Sequence, residues 1–145
     1  QILDLSFKER RYTIDFWVWF RWRAEGDMAD YNPLESFELM NGRIDSKSSI
    51  VEKKIDGVNY ASARIMANIS QPWDLDAFPL DNHRLRIRLE DSKRVTSELE
   101  YEIDAVNSGL GDEINLSGWI ISFHRPTSCT SRPRKWLVPC MKYFL

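Results

Sequence analysis

The run from Arg11 to Arg23, RYTIDFWVWFRWR, constrains the fold more than any other segment. Tyr12, Ile14, Phe16, Val18, Phe20 and Trp22 fall on one parity, and Thr13, Asp15, Trp17, Trp19, Arg21 and Arg23 on the other. Side chains alternate across a strand with a period of two, so this run places a continuous apolar ridge on one side of a β-strand. A helix would scatter the same residues around its circumference. The first face is therefore core, and any fold for this chain must supply a second layer to cover it.

The same period recurs. In Val58 to Ser70, Ala61, Ala63, Ile65, Ala67 and Ile69 oppose Tyr60, Ser62, Arg64, Met66 and Asn68. In His83 to Leu89, Leu85, Ile87 and Leu89 alternate with Arg84, Arg86 and Arg88, and in Leu99 to Ala105 apolar positions alternate with Glu98, Glu100, Glu102 and Asp104. Phe37 to Asn41 and Gly118 to Arg125 read as further strands, and Asn41-Gly42 and Asp56-Gly57 are turn dipeptides. Several short strands with little helix predict an all-β protein, a twisted immunoglobulin-like two-sheet β-sandwich. The sandwich is expected over residues 1–125. Residues 126–145 contain no acid and three prolines, and read as a divergent or truncated tail.

Composition narrows the function. A chain of 145 residues makes one domain with a sizeable core. Its formal charge of −2, with acids and bases interspersed, argues against a nucleic-acid groove. No apolar run approaches the roughly 18 residues that span a bilayer, so this polypeptide alone is expected to be soluble. The opening at Gln1 suggests a mature product or an excised fragment. Cys129 and Cys140 allow either a small disulfide loop or two free thiols. His83 and His124 are the only histidines, and neither has a metal-ligand spacing. No nucleophile elbow or phosphate loop is present. An enzyme is not expected, nor is a cofactor.

Two features carry chemistry. Trp17 and Trp19 lie on the non-core face, where each leaves about 2 to 3 kcal/mol of burial unrealised unless something covers it. A second core layer, a subunit interface or a ligand platform would each do so. The other feature is the stretch Ser70 to Asp91, SQPWDLDAFPLDNHRLRIRLED, in which a turn around Phe78-Pro79-Leu80-Asp81 runs into an alternating strand. Pro79 lacks an amide donor, so the strand begins after it.

That turn resembles the signature loop of the pentameric ligand-gated ion channels, the Cys-loop receptors. Asp74, Leu75, Phe78, Pro79 and Asp81 match its Asp-Leu-x-x-Phe-Pro-x-Asp pattern. The bracketing cysteines would fall at Gln71 and Leu85, so the chain is similar to bacterial members that lack the disulfide. The resemblance implies the extracellular ligand-binding domain of a homopentameric receptor, on the extracellular or periplasmic face of a membrane. It would bind a small molecule between subunits and reach the membrane only through a separate pore domain. Trp73, Asp74, Phe78, Pro79 and Asp81 would form the gating loop that presses on the pore. On the complementary side of the ligand pocket would stand Trp17, with Trp19, Tyr60, Ser62 and Arg64. Phe37, Glu38 and Met40, and then Glu90, Asp91 and Ser92, would come from principal-side loops.

The ligand's charge stays open at this level. Carboxylates beside Trp17 suit a primary amine, whereas Arg64 in the same pocket suits a carboxylate. Asp112 and Glu113 suit either a divalent cation or a solvated loop, so metal binding is unassigned. The alternative from another class is a carbohydrate-binding sandwich that stacks sugars on Trp17 and Trp19; it requires both rings exposed.

Overall fold

The computed structural model describes residues 1–23, 26–74, 76, 83–95, 98–99, 101–111, 120–122 and 141–142. The strands are β1 (Ile2–Ser6), β2 (Arg11–Trp22), β3 (Phe37–Leu39), β4 (Gly42–Ile55), β5 (Val58–Ser70), β6 (Leu89–Asp91) and β7 (Met141–Lys142). A 3-10 turn at Gly26–Met28 and a short helix, α1 (Pro33–Ser36), precede β3. The larger sheet runs β1-β2-β5-β4, with β7 also pairing β2, and β3 and β6 make a second, two-stranded sheet. All of these pairings are antiparallel. The protein is an all-β, two-sheet structure, as its sequence period predicts.

β2 is the axis of the larger sheet. It pairs with β5 without interruption from Arg11 opposite Ser70 to Trp22 opposite Asn59. Its other edge holds β1 near Arg11 to Ile14 and β7 at Trp17 and Val18, so part of the expected tail returns to the sheet. Tyr12, Phe16 and Val18 are fully buried and Ile14 and Phe20 nearly so. Directly opposite stand Ile69, Ala67, Ile65, Ala63 and Ala61. The small alanines, opposite Ile14, Val18 and Phe20, leave depth for the second layer, which supplies Leu34, Phe37, Leu39, Ile87 and Leu89 to one core cluster. Phe20 meets Phe37 and Tyr101 at ring distances of 5.5 and 5.6 Å. Trp22, Leu85 and Tyr101 pack at the margin of this cluster.

Three expected strands differ. Residues 83–88 keep the alternation in burial, yet the ladder begins only at Leu89. The Asn41 side chain occupies that place: its amide donates to Arg86 O at 2.7 Å and its carbonyl accepts from Arg88 N at 2.9 Å. Tyr12 Oη also donates to Arg86 O, at 3.0 Å. Residues 101–105 form no strand either. There Asp104 folds the chain into a turn, its side chain and carbonyl accepting from the amides of Asn107 and Ser108. Of the expected strand from Gly118 to Arg125, residues 120–122 are described and are not a strand, with Ile120 fully exposed.

The unexpected element is β4. It carries little alternation because it is an edge strand, exposed along nearly its whole length. Its register shifts between Ser48 and Val51, where Ser49 has φ of 50°. A bulge of this kind, together with Lys47, Lys53 and Lys54, is the usual protection of a sheet edge. At its start, Gly42 lies against β5 so closely that an added Cβ would stand 2.5 Å from Asn68 O and 2.7 Å from Ile69 Cδ1. Gly42→Ala is therefore expected to lower stability by about 1 to 3 kcal/mol. Urea unfolding checks it, with Gly109→Ala, where an added Cβ meets nothing within 4 Å, as the near-neutral control.

Candidate functional site

Strand parity gathers the candidate residues. Because directly opposed residues share a face, the pairs Asp15↔Met66, Trp17↔Arg64, Trp19↔Ser62 and Arg21↔Tyr60 put all eight side chains on the non-core side of β2 and β5. The structure thus brings together Trp17, Trp19, Tyr60, Ser62 and Arg64. Trp17 is half-buried, whereas Trp19 is only 8% exposed. The covering group is a turn of the same chain: Trp19 Nε1 donates to Asp104 Oδ2 at 3.4 Å.

Arg64 does not stand free. Its Nε and Nη2 donate to the Asp15 carboxylate at 2.9 and 2.6 Å, a two-point contact to a residue that is itself buried. Those hydrogen bonds and the Asp15 charge hold the guanidinium even more firmly protonated than usual. The charge of Arg64 is balanced inside the fold.

Beyond Arg64 the face opens into a shallow cleft of about 270 Å³, lined by Trp19, Arg21, Tyr60, Asp104 and Asn107. Asp104 is fixed there by Asn107, whose backbone amide and Nδ2 reach Oδ1 at 3.2 and 2.9 Å. Partial burial raises its pKa, but the Asn107 and Trp19 hydrogen bonds and the nearby Arg21 charge outweigh that, and the carboxyl sits below its ordinary range. Lys53 Nζ lies 4.8 Å from the centre of the Tyr60 ring. The alternation pattern identified Trp19 and Tyr60. It did not identify Asp104 and Asn107 as cleft residues, because it assigned Asp104 to a strand; their only sequence signal is an Asp followed three residues later by Asn, a turn-forming pair.

The expected principal-side residues are placed otherwise. Phe37 is core at 3% exposure, while Glu38 and Met40 are exposed. Asp91 is a structural hub. Its Oδ2 accepts from Tyr31, Ser36 and Tyr101 at 2.5, 2.6 and 2.9 Å, and its Oδ1 from the amides of Lys93 and Arg94 at 2.9 and 2.8 Å. Burial pushes the Asp91 carboxyl up, but these donors outweigh burial and hold it below the usual range. Burial and the bond to Asp91 push Tyr31 up to about 12. Ser92 is tied to Ser36 O through both its hydroxyl and its amide at 2.8 Å. Glu90 faces Glu38 directly across the β3–β6 pair; partial burial first, and then the like charge and hydrogen bond of Glu38, push its carboxyl up.

At the other end of β2, Trp73 packs on Phe7 at 4.9 Å and on His83 at 5.1 Å, and donates to Ser6 O at 3.1 Å. Asp74 Oδ1 accepts from Asp76 N at 3.2 Å, opening a turn. Phe78, Pro79 and Asp81 lie outside the described residues, as do Asp112 and Glu113. From Arg11 to Phe20 a strand spans about 30 Å, so the Trp73 cluster and the cleft sit far apart on the same sheet. Among the described residues no group of His, Cys, Asp and Glu is arranged to hold a metal, and no helix is long and apolar enough to cross a membrane. Comparison with protein-family models, with curated proteins and with solved structures finds no match.

The adjacent carboxylates Glu90 and Asp91 are expected to respond to substitution with opposite sign. Asp91 is depressed in the folded state, so its contribution is present above the unfolded carboxylate pKa and is lost as pH falls through the folded value. Asp91→Asn should cost about 2 to 4 kcal/mol at neutral pH, a deficit that shrinks in acid. Glu90 is raised, so its ionisation opposes folding above the folded pKa. Glu90→Gln should stabilise by at most a few tenths of a kcal/mol, because solvent screens the pair. Urea midpoints of both variants between neutral and acidic pH check the two signs together.

Proposed function

We propose that the chain is the extracellular ligand-binding domain of a pentameric receptor of the ligand-gated channel type, binding a small molecule at a boundary between subunits. The observation that carries this reading is the single face on which Trp17, Trp19, Tyr60, Ser62 and Arg64 lie side by side along β2 and β5. It supports the reading because the resemblance assigns those positions to the complementary wall of the ligand pocket. Trp17, flanked by Arg64 and Lys142 on the neighbouring strands, remains half-exposed on that face, as an aromatic anchor for a partner surface would be.

The polarity of the sheet is in keeping with this role. Trp73 and Asp74, which open the signature turn, belong to the end of β2 remote from the cleft. In a full-length receptor that end would face the pore domain, and binding at the aromatic face would be relayed along β2 and β5. The receptor would stand on the extracellular or periplasmic side of the membrane, anchored by a pore domain outside this chain. Glu38 and Glu90 of the small sheet and Met40 just beyond it, at exposed or half-exposed positions, are the groups offered to a neighbour; Phe37, Asp91 and Ser92 hold that sheet in place through core packing and hydrogen bonds.

A sugar platform fits less well. Stacking a saccharide on Trp17 and Trp19 needs two open rings, and Trp19 is 8% exposed with its indole N–H bonded to Asp104. Trp17→Ala should weaken binding of the small ligand by about 1 to 3 kcal/mol with circular dichroism unchanged. Calorimetric titration with panels of small amines, small carboxylates and oligosaccharides checks it. Binding of oligosaccharides alone would replace the receptor reading with the carbohydrate one.

A further inference from the structure

The cleft beside the tryptophans contains more information on ligand charge than the sequence pattern does. Its lining residues are Trp19, Arg21, Tyr60, Asp104 and Asn107, and the state of each charged group can be followed atom by atom. Arg64, the cation that sequence favoured for an anionic ligand, is bound to Asp15 at two points and has its charge balanced. Arg21 differs. It is exposed, lines the cleft, and forms no ion pair among the described residues.

The carboxylate that lines the cleft among the described residues is in the reverse condition. Asp104 Oδ1 accepts from the Asn107 amide and from Asn107 Nδ2. Its Oδ2 accepts from Asn107 Nδ2 at 2.8 Å and from Trp19 Nε1 at 3.4 Å. With two hydrogen bonds at each oxygen, most of its acceptor capacity serves the turn and the indole. An incoming ammonium would have to displace those donors, whereas an incoming carboxylate meets Arg21, whose charge already acts on Asp104 but whose guanidinium is in no ion pair among the described residues. Lys53, above the Tyr60 ring, adds a second positive charge at the rim. Tyr60, half-buried and directly opposite Arg21 across β2 and β5, offers the apolar wall, and the covered Trp19 closes the floor beside it.

We infer that this cleft takes a small carboxylate with a planar or aromatic body, its anionic end on Arg21 and its ring against Tyr60. The inference rests on the ligand-binding reading above and adds the ligand's sign. Arg21 is the charge-determining contact. Lys53 contributes long-range attraction, and Asp104 with Asn107 shapes the wall and limits affinity through its own negative charge.

The test uses benzoate and its cationic counterpart benzylamine as probes, titrated into the protein by calorimetry and followed by saturation-transfer NMR. Benzoate is expected to bind and benzylamine not to. Arg21→Gln should weaken benzoate about tenfold or more, and Asp104→Asn, which removes the opposing charge, should tighten it roughly twofold to fivefold. Added salt should weaken binding in the wild type and have less effect in Arg21→Gln. Arg21 is a surface residue, so its variant is expected to fold, and circular dichroism verifies this. Benzylamine binding that is abolished by Asp104→Asn would overturn the assignment of sign while leaving a ligand site at the cleft. Failure of both probes to bind would overturn the cleft as a charged-ligand site, while the receptor reading is decided separately by Trp17→Ala and by the state of assembly.

Discussion

The alternation along β2 is the constraint on which the rest of the structure depends. One strand pairs with β5 on one edge and with β1 and β7 on the other, so any slip in its register would turn Tyr12, Phe16 and Phe20 outward and Trp17 and Arg21 inward. Parity fixes both faces at once. The aromatic ridge demands a second layer, and the alanines of β5 leave the depth in which Phe37, Leu39 and Leu89 fit. The opposite face inherits the remaining aromatics and charges whether or not they pack well. The candidate site is in this sense the reverse side of the core.

The second layer is small and needs a fastening. β3 and β6 contribute only a short ladder, and the Asp91 carboxylate supplies what the ladder does not. It draws Tyr31, Ser36 and Tyr101 and two backbone amides onto one group, joining α1, β6 and the 101–104 segment. A partly buried charge with this many donors is stable, whereas the same charge with any of them removed is costly. Its neighbour Glu90 points to the other side and faces Glu38, so consecutive residues of one strand serve rigidity and surface charge respectively.

Much of this was legible in the sequence. The bounds of β2 and β5, the core faces of those two strands and the shared face of Trp17, Trp19, Tyr60, Ser62 and Arg64 follow from period-two patterning, because a strand with one buried face has no other arrangement open to it; the core place of Phe37 did not. β4 was not legible, since an edge strand exposed on both faces carries no hydrophobic period. The segments at 83–88 and 101–105 alternate as strands do, yet side chains replace the ladder: Asn41 bonds the backbone of the first, and Asp104 turns the second. Such side-chain capture depends on contacts between residues distant in sequence or on one local turn, and periodicity reports neither. The same limit applies to charge. Arg64 and Asp15 are each visible as outward residues, but their ion pair follows only from their places on adjacent strands.

The receptor reading requires a neighbouring subunit over Trp17, which sets it apart from the other readings. Trp19 is covered by its own chain through the Asp104 turn, and Trp17 remains half-open beside it. Sedimentation velocity across a rising concentration series, on the wild type and on Trp17→Lys, tests this most directly. The account predicts that the wild type associates toward a pentamer while the variant, with native circular dichroism, stays monomeric. A wild type that remains monomeric throughout, or a variant that associates equally well, would contradict a subunit boundary at this face.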